Sequence, residues 1–127
     1  MPTAKLKPLE WVASSKRDVK AFPSEVRDAV GYAIYLAQIG SKHTDAKPLK
    51  GLGTGTIEVV ASWRGNAFRA VYTVRFARAV YVLHAFQKKA TRGRTTPRPE
   101  IELIRARLKT AERHYDTNYA REQTDGP

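Results

Sequence analysis

Residues 63–96 read WRGNAFRAVYTVRFARAVYVLHAFQKKATRGRTT, and the reading of this stretch decides the fold. It holds two runs that alternate between apolar and polar residues, the period of strands with one face in a core. Gly65 and Asn66 form a two-residue turn ahead of the first run, and Gly at the first central position is a hairpin signal. With Arg64 facing Ala67, Ser62 opposes Arg69, Val60 opposes Val71 and Glu58 opposes Thr73. The other side of the sheet then carries Ile57, Val59, Ala61, Trp63, Phe68, Ala70, Tyr72 and Val74, a continuous apolar surface. After a short turn at Ala77 and Arg78, Tyr81, Leu83 and Ala85 are expected to join that apolar side, with Val82, His84, Phe86 and Lys88 on the other. A one-residue slip would bury Arg69 and expose Trp63, so the pattern specifies the register. The second face is expected to stay partly open, as a basic surface carrying Glu58, Arg64, Arg69, His84, Phe86 and Lys88.

Between Glu58 and Glu100 there is no acidic residue, while Arg64, Arg69, Arg75, Arg78, Lys88, Lys89, Arg92, Arg94 and Arg98 supply nine cations of a chain whose formal net charge is +11. Such a balance attracts polyanions, nucleic acid first and an acidic protein partner second. At 127 residues and 42% hydrophobic content the chain is expected to form a single globular domain over residues 1–127. Without cysteine it has no disulfide framework and no thiolate metal site. The first residues, MPTAKLKPLEWVASS, lack the apolar run of a signal sequence, and no later stretch is long enough to span a membrane. The expectation is a soluble, cytoplasmic protein.

Around the central stretch, Leu6 to Ala13 reads as a first strand, with Pro8 placing it at an edge. Ser15 followed by Asp18 opens a short helix through Phe22, and Pro23 suits the first turn of a second. In that second helix Val26, Val30, Ala33, Ile34 and Ala37 recur at helical spacing until Gly40. The two helices form a hairpin able to cover the apolar sheet face. Ser41 to Gly55 reads as a loop. Its Gly51, Gly53 and Gly55 precede a strand, so no helix dipole is aimed at a ligand and a phosphate-binding loop is rejected. The next strand starts at Thr56. Lys88 to Arg98 reads as a basic loop, followed by a helix that starts between Pro97 and Glu100 and presents Ile101, Ile104, Leu108, Ala111 and Tyr115 on one face. The tail after about residue 119 is expected to fray. The elements follow the order β-α-α-β-β-β-α, an α+β protein.

The chemistry-bearing residues each have two readings. Arg69, held by a strand between inward-pointing Phe68 and Ala70, offers planar donors suited to a phosphate; alternatively it pairs with Glu58 across the sheet. Lys88, Lys89, Arg92 and Arg94 either grip an RNA backbone and neutralise charge developing on phosphate, or are a solvated loop. Phe86 either stacks a base or packs under the terminal helix, while Tyr72 belongs to the core. His84 is a general acid or base, or a half-buried histidine bonded beneath that helix. Glu58 is a base or a structural counter-ion. His43 and His114 lie in unrelated elements, so no metal site and no cofactor is expected. No serine, histidine and acid arrangement suggests acyl transfer. A metal-free basic groove suits cleavage of RNA through its own 2′-OH, where the protein aligns the chain, moves protons and stabilises a phosphorane. Arg69, Lys88, Lys89, Glu58 and His84 are the candidate catalytic residues; Arg64, Arg75, Phe86, Arg92, Arg94 and Arg98 are the candidates for contact with RNA or ribosome.

Through SSKRDVKAFPSEVRDAVGYAIYLAQIG, FRAVYTVRF and, most specifically, VYVLHAFQKKATRGRTTPRPEIELIRAR, the chain resembles the phage-associated HigB-like branch of the RelE/ParE toxin superfamily. The resemblance implies a twisted, mostly antiparallel sheet with a helix pair on one face. It also implies a toxin of a type II toxin–antitoxin system, a ribosome-dependent endoribonuclease that cuts mRNA. The implied partners are a HigA-like helix-turn-helix antitoxin, the ribosome with its mRNA, and operator DNA through the antitoxin alone. Arg69 resembles the strand arginine that contacts the scissile phosphate, and Lys88 and Lys89 match the basic pair ending the last strand. The C-terminal tyrosine of some relatives has no clear counterpart in Tyr115 or Tyr119, which leaves Glu58, His84 or a lysine as general base. Two other functions compete: a non-catalytic basic RNA- or ribosome-binding protein, and a degenerate toxin acting with its antitoxin as an operator co-repressor.

Overall fold

The computed structural model describes residues 6–88 and 96–120. In chain order the elements are β1 (Leu9–Trp11), α1 (Ser15–Lys20), α2 (Ser24–Gln38), β2 (Ala46–Pro48), β3 (Thr56–Trp63), β4 (Asn66–Thr73), β5 (Val80–Lys88) and α3 (Arg98–Tyr115), whose last turn loosens into a π-helical segment at Asp116–Ala120. The strands form one five-stranded sheet in the order β1-β5-β4-β3-β2. Only the β1–β5 pair is parallel; the other three are antiparallel. This is the α+β architecture the sequence implies, with one strand more. The added strand is β2, inside what reads as a loop, where Pro48 hides the strand signal because a proline is tolerated at a sheet edge.

The helices start and stop for local reasons. In α1 the residue before the first turn is Ser14 and not Ser15: the Ser14 hydroxyl donates to the Asp18 carboxylate at 2.7 Å, while Ser15 is buried and donates to the Val82 carbonyl at 3.1 Å. Helix α2 ends with Ser41 N–H reaching the Leu36 carbonyl at 2.7 Å and Gly40 N–H reaching Ala37 at 3.1 Å, the paired bonds of a Schellman stop. Its buried residues are Val26, Val30, Ala33, Ile34 and Ala37, the stripe expected from spacing.

Strand pairing departs from the expected register in an instructive way. The β3–β4 turn is centred on Arg64 and Gly65, with φ of +51° and +80°, so both central residues are left-handed as a type I′ turn requires. Trp63 therefore pairs with Asn66, Val60 with Arg69 and Glu58 with Val71. Every expected pair is displaced by two residues, and an even displacement leaves each side chain on its expected face. Along β5 the correction is larger. His84 pairs with Val71 but Val82 pairs with Tyr72, so Leu83 is an extra residue at a bulge. Beyond it the parity inverts: Val80 and Val82 join Phe68, Ala70 and Tyr72 beneath α1 and α2, and Tyr81 and Leu83 turn to the opposite face. Ala85, on the near side of the bulge, keeps its expected side.

That opposite face is a second core. Val12, Leu52, Val71, Phe76, Ala79, Tyr81 and Leu83 pack against Ile104, Leu108, Ala111 and Tyr115 of α3. The expectation of a partly open basic face is thus narrowed: α3 buries its apolar stripe against Val71, Tyr81 and Leu83 on that face, and a cavity remains at Glu58 and Arg69. Val74, assigned to the apolar side, lies beyond the end of β4 and is 37% exposed. Among the described residues no helix is long and apolar enough to cross a membrane.

Candidate functional site

Adjacent strands and the approach to α3 meet at Glu58. Arg69 on β4 donates from Nη1 to Glu58 Oε1 on β3 at 2.9 Å, and Thr96, just ahead of α3, donates from Oγ1 to Glu58 Oε2 at 2.7 Å. Glu58 pairs across the sheet with Val71, two residues from Arg69 on the same face, so the contact is a diagonal one that long side chains span. Arg69 is 5% exposed and Glu58 9%. A cavity of about 310 Å³ opens beside them, lined by Asp45, Lys47, Glu58, Val60 and Arg69. A second, of about 350 Å³, is lined by Lys47, Pro48, Leu49, Lys50, Glu58, Thr96 and Ile101. Lys47 and Glu58 border both, so the two cavities adjoin as a groove along β2, with Arg69 lining the first. Strand β2 and the residue before it bring Lys47 and Asp45 to the site, and sequence reasoning missed both. The signal was the short KPLK string, which carries no periodicity.

His84 sits beneath α3, in the arrangement given above as its second reading. Its Nε2 is 2.6 Å from Glu100 Oε1, and Arg107 Nη1 approaches Nδ1 at 3.2 Å. Arginine only donates, so Nδ1 is the acceptor and Nε2 carries the proton given to Glu100. Both ring nitrogens are engaged, and the ring stacks on Phe86 at 5.0 Å between centroids. Arg107 also donates to the Leu83 carbonyl at 3.0 Å and to Ser14 Oγ at 3.2 Å, which ties α3, β5 and the start of α1 together. Nothing in the sequence singles out Arg107, whose partners come from three distant segments.

The remaining site candidates disperse. Phe86 is half-buried and pairs across the sheet with Arg69; Lys88 is half-buried and pairs with Ala67 at the strand end. Arg64 is exposed at the hairpin tip, its guanidinium 4.5 Å over the Trp63 ring. Arg75 is turned to a structural task, since it donates to the carbonyls of Leu52 at 2.9 Å and Thr54 at 3.4 Å and pairs with Glu112 at 3.6 Å. This explains the glycine-rich loop. A Cβ on Gly55 would stand 2.9 Å from the Arg75 backbone nitrogen, so a bare backbone is needed there. Arg98 is exposed at the start of α3. Lys89, Arg92 and Arg94 lie outside the described residues. Tyr115 and Tyr119 are occupied near the opposite edge of the sheet: the Tyr115 hydroxyl accepts from Arg78 N–H at 3.2 Å, and the Tyr119 hydroxyl donates to Glu10. Tyr81 bonds His114 Nδ1 at 2.6 Å, and burial pushes its phenol well above the usual tyrosine range, with the Glu10 carboxylate adding to the effect.

Residues 17–109, which include β3, β4, β5 and the groove, match the family model described as phage derived protein Gp49-like. The chain belongs to the Gp49-like, phage-derived protein family. The match covers Glu58, Arg69, His84, Thr96 and Arg107, and it ends before Tyr115 and Tyr119. The Gp49-like chain is also similar to a chain of the toxin–antitoxin complex RelBE2 from Mycobacterium tuberculosis, at 19% identity and a TM-score of 0.44, over 71% of this chain and 100% of that one. A comparison with curated proteins finds no match.

Proposed function

We propose that this Gp49-like protein is the toxin of a toxin–antitoxin system, a ribosome-dependent endoribonuclease that cleaves mRNA by attack of the ribose 2′-OH on the adjacent phosphorus, with departure of the 5′ oxygen. The observation that carries this reading is Arg69 in the lining of the groove along β2, with Lys47 in the same cavity and Lys50 in the adjoining one. Two rigid strands hold it where a phosphate entering the groove meets planar donors, and such donors stabilise the extra charge of a phosphorane. One group must take the proton from the 2′-OH and another must supply one to the leaving oxygen. Glu58, which touches Arg69, is assigned the role of base. His84 is less suited, because Arg107 occupies its acceptor nitrogen. Lys88, Lys89, Arg92, Arg94 and Arg98 are assigned to holding the RNA or ribosomal backbone, and silencing to a helix-turn-helix antitoxin of acidic contact surface. Adding the purified protein to a translation reaction and mapping mRNA ends by primer extension tests the proposal. New ends at positions set by the ribosome are the expected result, and intact message at a protein concentration that saturates ribosomes overturns it.

A further inference from the structure

We infer that Glu58 is a resident anion in the phosphate-binding position of Arg69, fastened there by Thr96, and that a phosphodiester binds the groove by displacing this carboxylate from the guanidinium. The inference rests on the proposed assignment of Arg69 as a phosphate contact. Three observations carry it. First, Glu58 Oε1 accepts from Arg69 Nη1 at 2.9 Å, so a donor face suited to a phosphate oxygen is already filled by an oxyanion of the chain itself. Secondly, the other oxygen of Glu58 is held by the Thr96 hydroxyl at 2.7 Å, which fixes the carboxylate in this rotamer. Thirdly, Glu58 and Arg69 border the same cavity of about 310 Å³ with Lys47 and Asp45, so an incoming anion has room and meets a second cation, with the Asp45 carboxylate opposing it. A buried ion pair of this kind adds little net stability, because the attraction is offset by desolvation of both charges. Its effect is selective: a ligand that replaces the carboxylate must be an anion able to take the same planar donors. Neutral ligands meet a closed pair. Thr96 is therefore a positioning residue that acts through Glu58.

The consequence is that apparent affinity for phosphodiesters is lowered by the fraction of molecules in which Arg69 is held by Glu58. Glu58→Gln keeps the shape and leaves an amide oxygen for Arg69, but removes the competing charge. The test is binding of a 2′-deoxy hexanucleotide, which cannot undergo 2′-OH attack, measured by fluorescence anisotropy on the full chain. Glu58→Gln is expected to tighten binding about tenfold, and Thr96→Val to tighten it by a smaller factor. On an Arg69→Lys background the gain from Glu58→Gln is expected to shrink. A melt of each variant accompanies the titration. Should Glu58→Gln fail to fold, the Thr96→Val titration decides alone, since Thr96 contributes a single hydroxyl. Equal or weaker binding by folded Glu58→Gln, or an undiminished gain on the Arg69→Lys background, overturns the inference. The translation assay separates the two readings. Tighter binding with no message cleavage by the parent protein keeps the displaced carboxylate and removes the nuclease. Cleavage by the parent with unchanged oligonucleotide affinity in Glu58→Gln does the reverse.

Discussion

Arg69 is buried beside a carboxylate, so truncating it has two effects that must be measured apart. Arg69→Ala leaves Glu58 buried without its cation, which costs on the order of 3–5 kcal/mol of stability. The same change should lower single-turnover cleavage at saturating ribosome by roughly a hundredfold or more, through loss of about 2–4 kcal/mol of transition-state stabilisation. Arg69→Lys keeps a charge for Glu58 and loses the planar fork, so it should recover most of the melt but only part of the rate. Parent-like cleavage by Arg69→Ala, assayed below its melting temperature, would remove Arg69 from the chemistry. Tyr72, buried in the first core, gives a pH prediction. Desolvation raises its phenol from 10.0 to about 12. A raised pKa means the folded state holds its proton more tightly than the unfolded chain. The stabilisation is complete below pH 10.0 and is lost as pH rises through about 12. Denaturant melts of Tyr72→Phe should therefore fall less steeply across that window than those of the parent, and parallel curves would contradict the assignment.

Among the elements, β2, β3 and β4 line the cavity at Arg69, and β5 with α3 builds the second core. The bulge at Leu83 reverses which face Val80, Tyr81 and Val82 present, and so supplies both cores from one strand. Arg107 pins that bulge by donating to the Leu83 carbonyl and to His84. Arg107→Leu should cost about 1–3 kcal/mol by leaving those acceptors unsatisfied. It should also speed hydrogen exchange at the N-terminus of α1, where Ser14 loses its arginine partner. Unchanged exchange there would show that the link holds nothing. The glycine-rich loop gives a paired test. Gly51 and Gly55 have the same φ of +86°, but a Cβ at Gly51 meets nothing within 4 Å, whereas one at Gly55 meets the Arg75 backbone at 2.9 Å. Ala at position 51 is expected to cost about 1 kcal/mol from strain alone, and Ala at position 55 clearly more. Thermal melts of Gly51→Ala and Gly55→Ala decide, and equal shifts would reject the close approach.

At the scale of the molecule, a formal charge of +11 is spread over helices and loops as well as the groove. Lys16, Lys20 and Arg27 are exposed on the α1–α2 side, and Arg105, Lys109 and Arg113 along α3. Long-range attraction to polyanions is therefore expected of every face, while chemistry is expected only where a cation is held rigidly. On the proposed function, an antitoxin should bind more weakly as salt is raised, because acidic side chains meet an excess of cations. Titration calorimetry at low and high ionic strength checks this, and an affinity independent of salt would point to an apolar interface instead. Unopposed expression is expected to arrest growth through translation, measured by amino-acid incorporation after induction.

Local pattern along the chain determines much of this protein. The apolar stripes of α2 and α3, the alternation of β3 and β4, and the strings FRAVYTVRF and VYVLHAFQKK carry the helix pair, the central hairpin and the family, because they depend on spacing along the chain. The two-residue error in hairpin register left the faces intact, since side-chain direction repeats every two residues. Only the tertiary structure decided what covers the second face. Whether Arg69 lies in solvent or in an ion pair depends on α3 crossing β5, on Thr96 reaching Glu58 and on β2 walling the groove, and these are contacts between distant segments. The bulge at Leu83 belongs to the same class: alternation in VYVLHAFQK runs on through it, and the extra residue shows only in the pairing of β5 with β4.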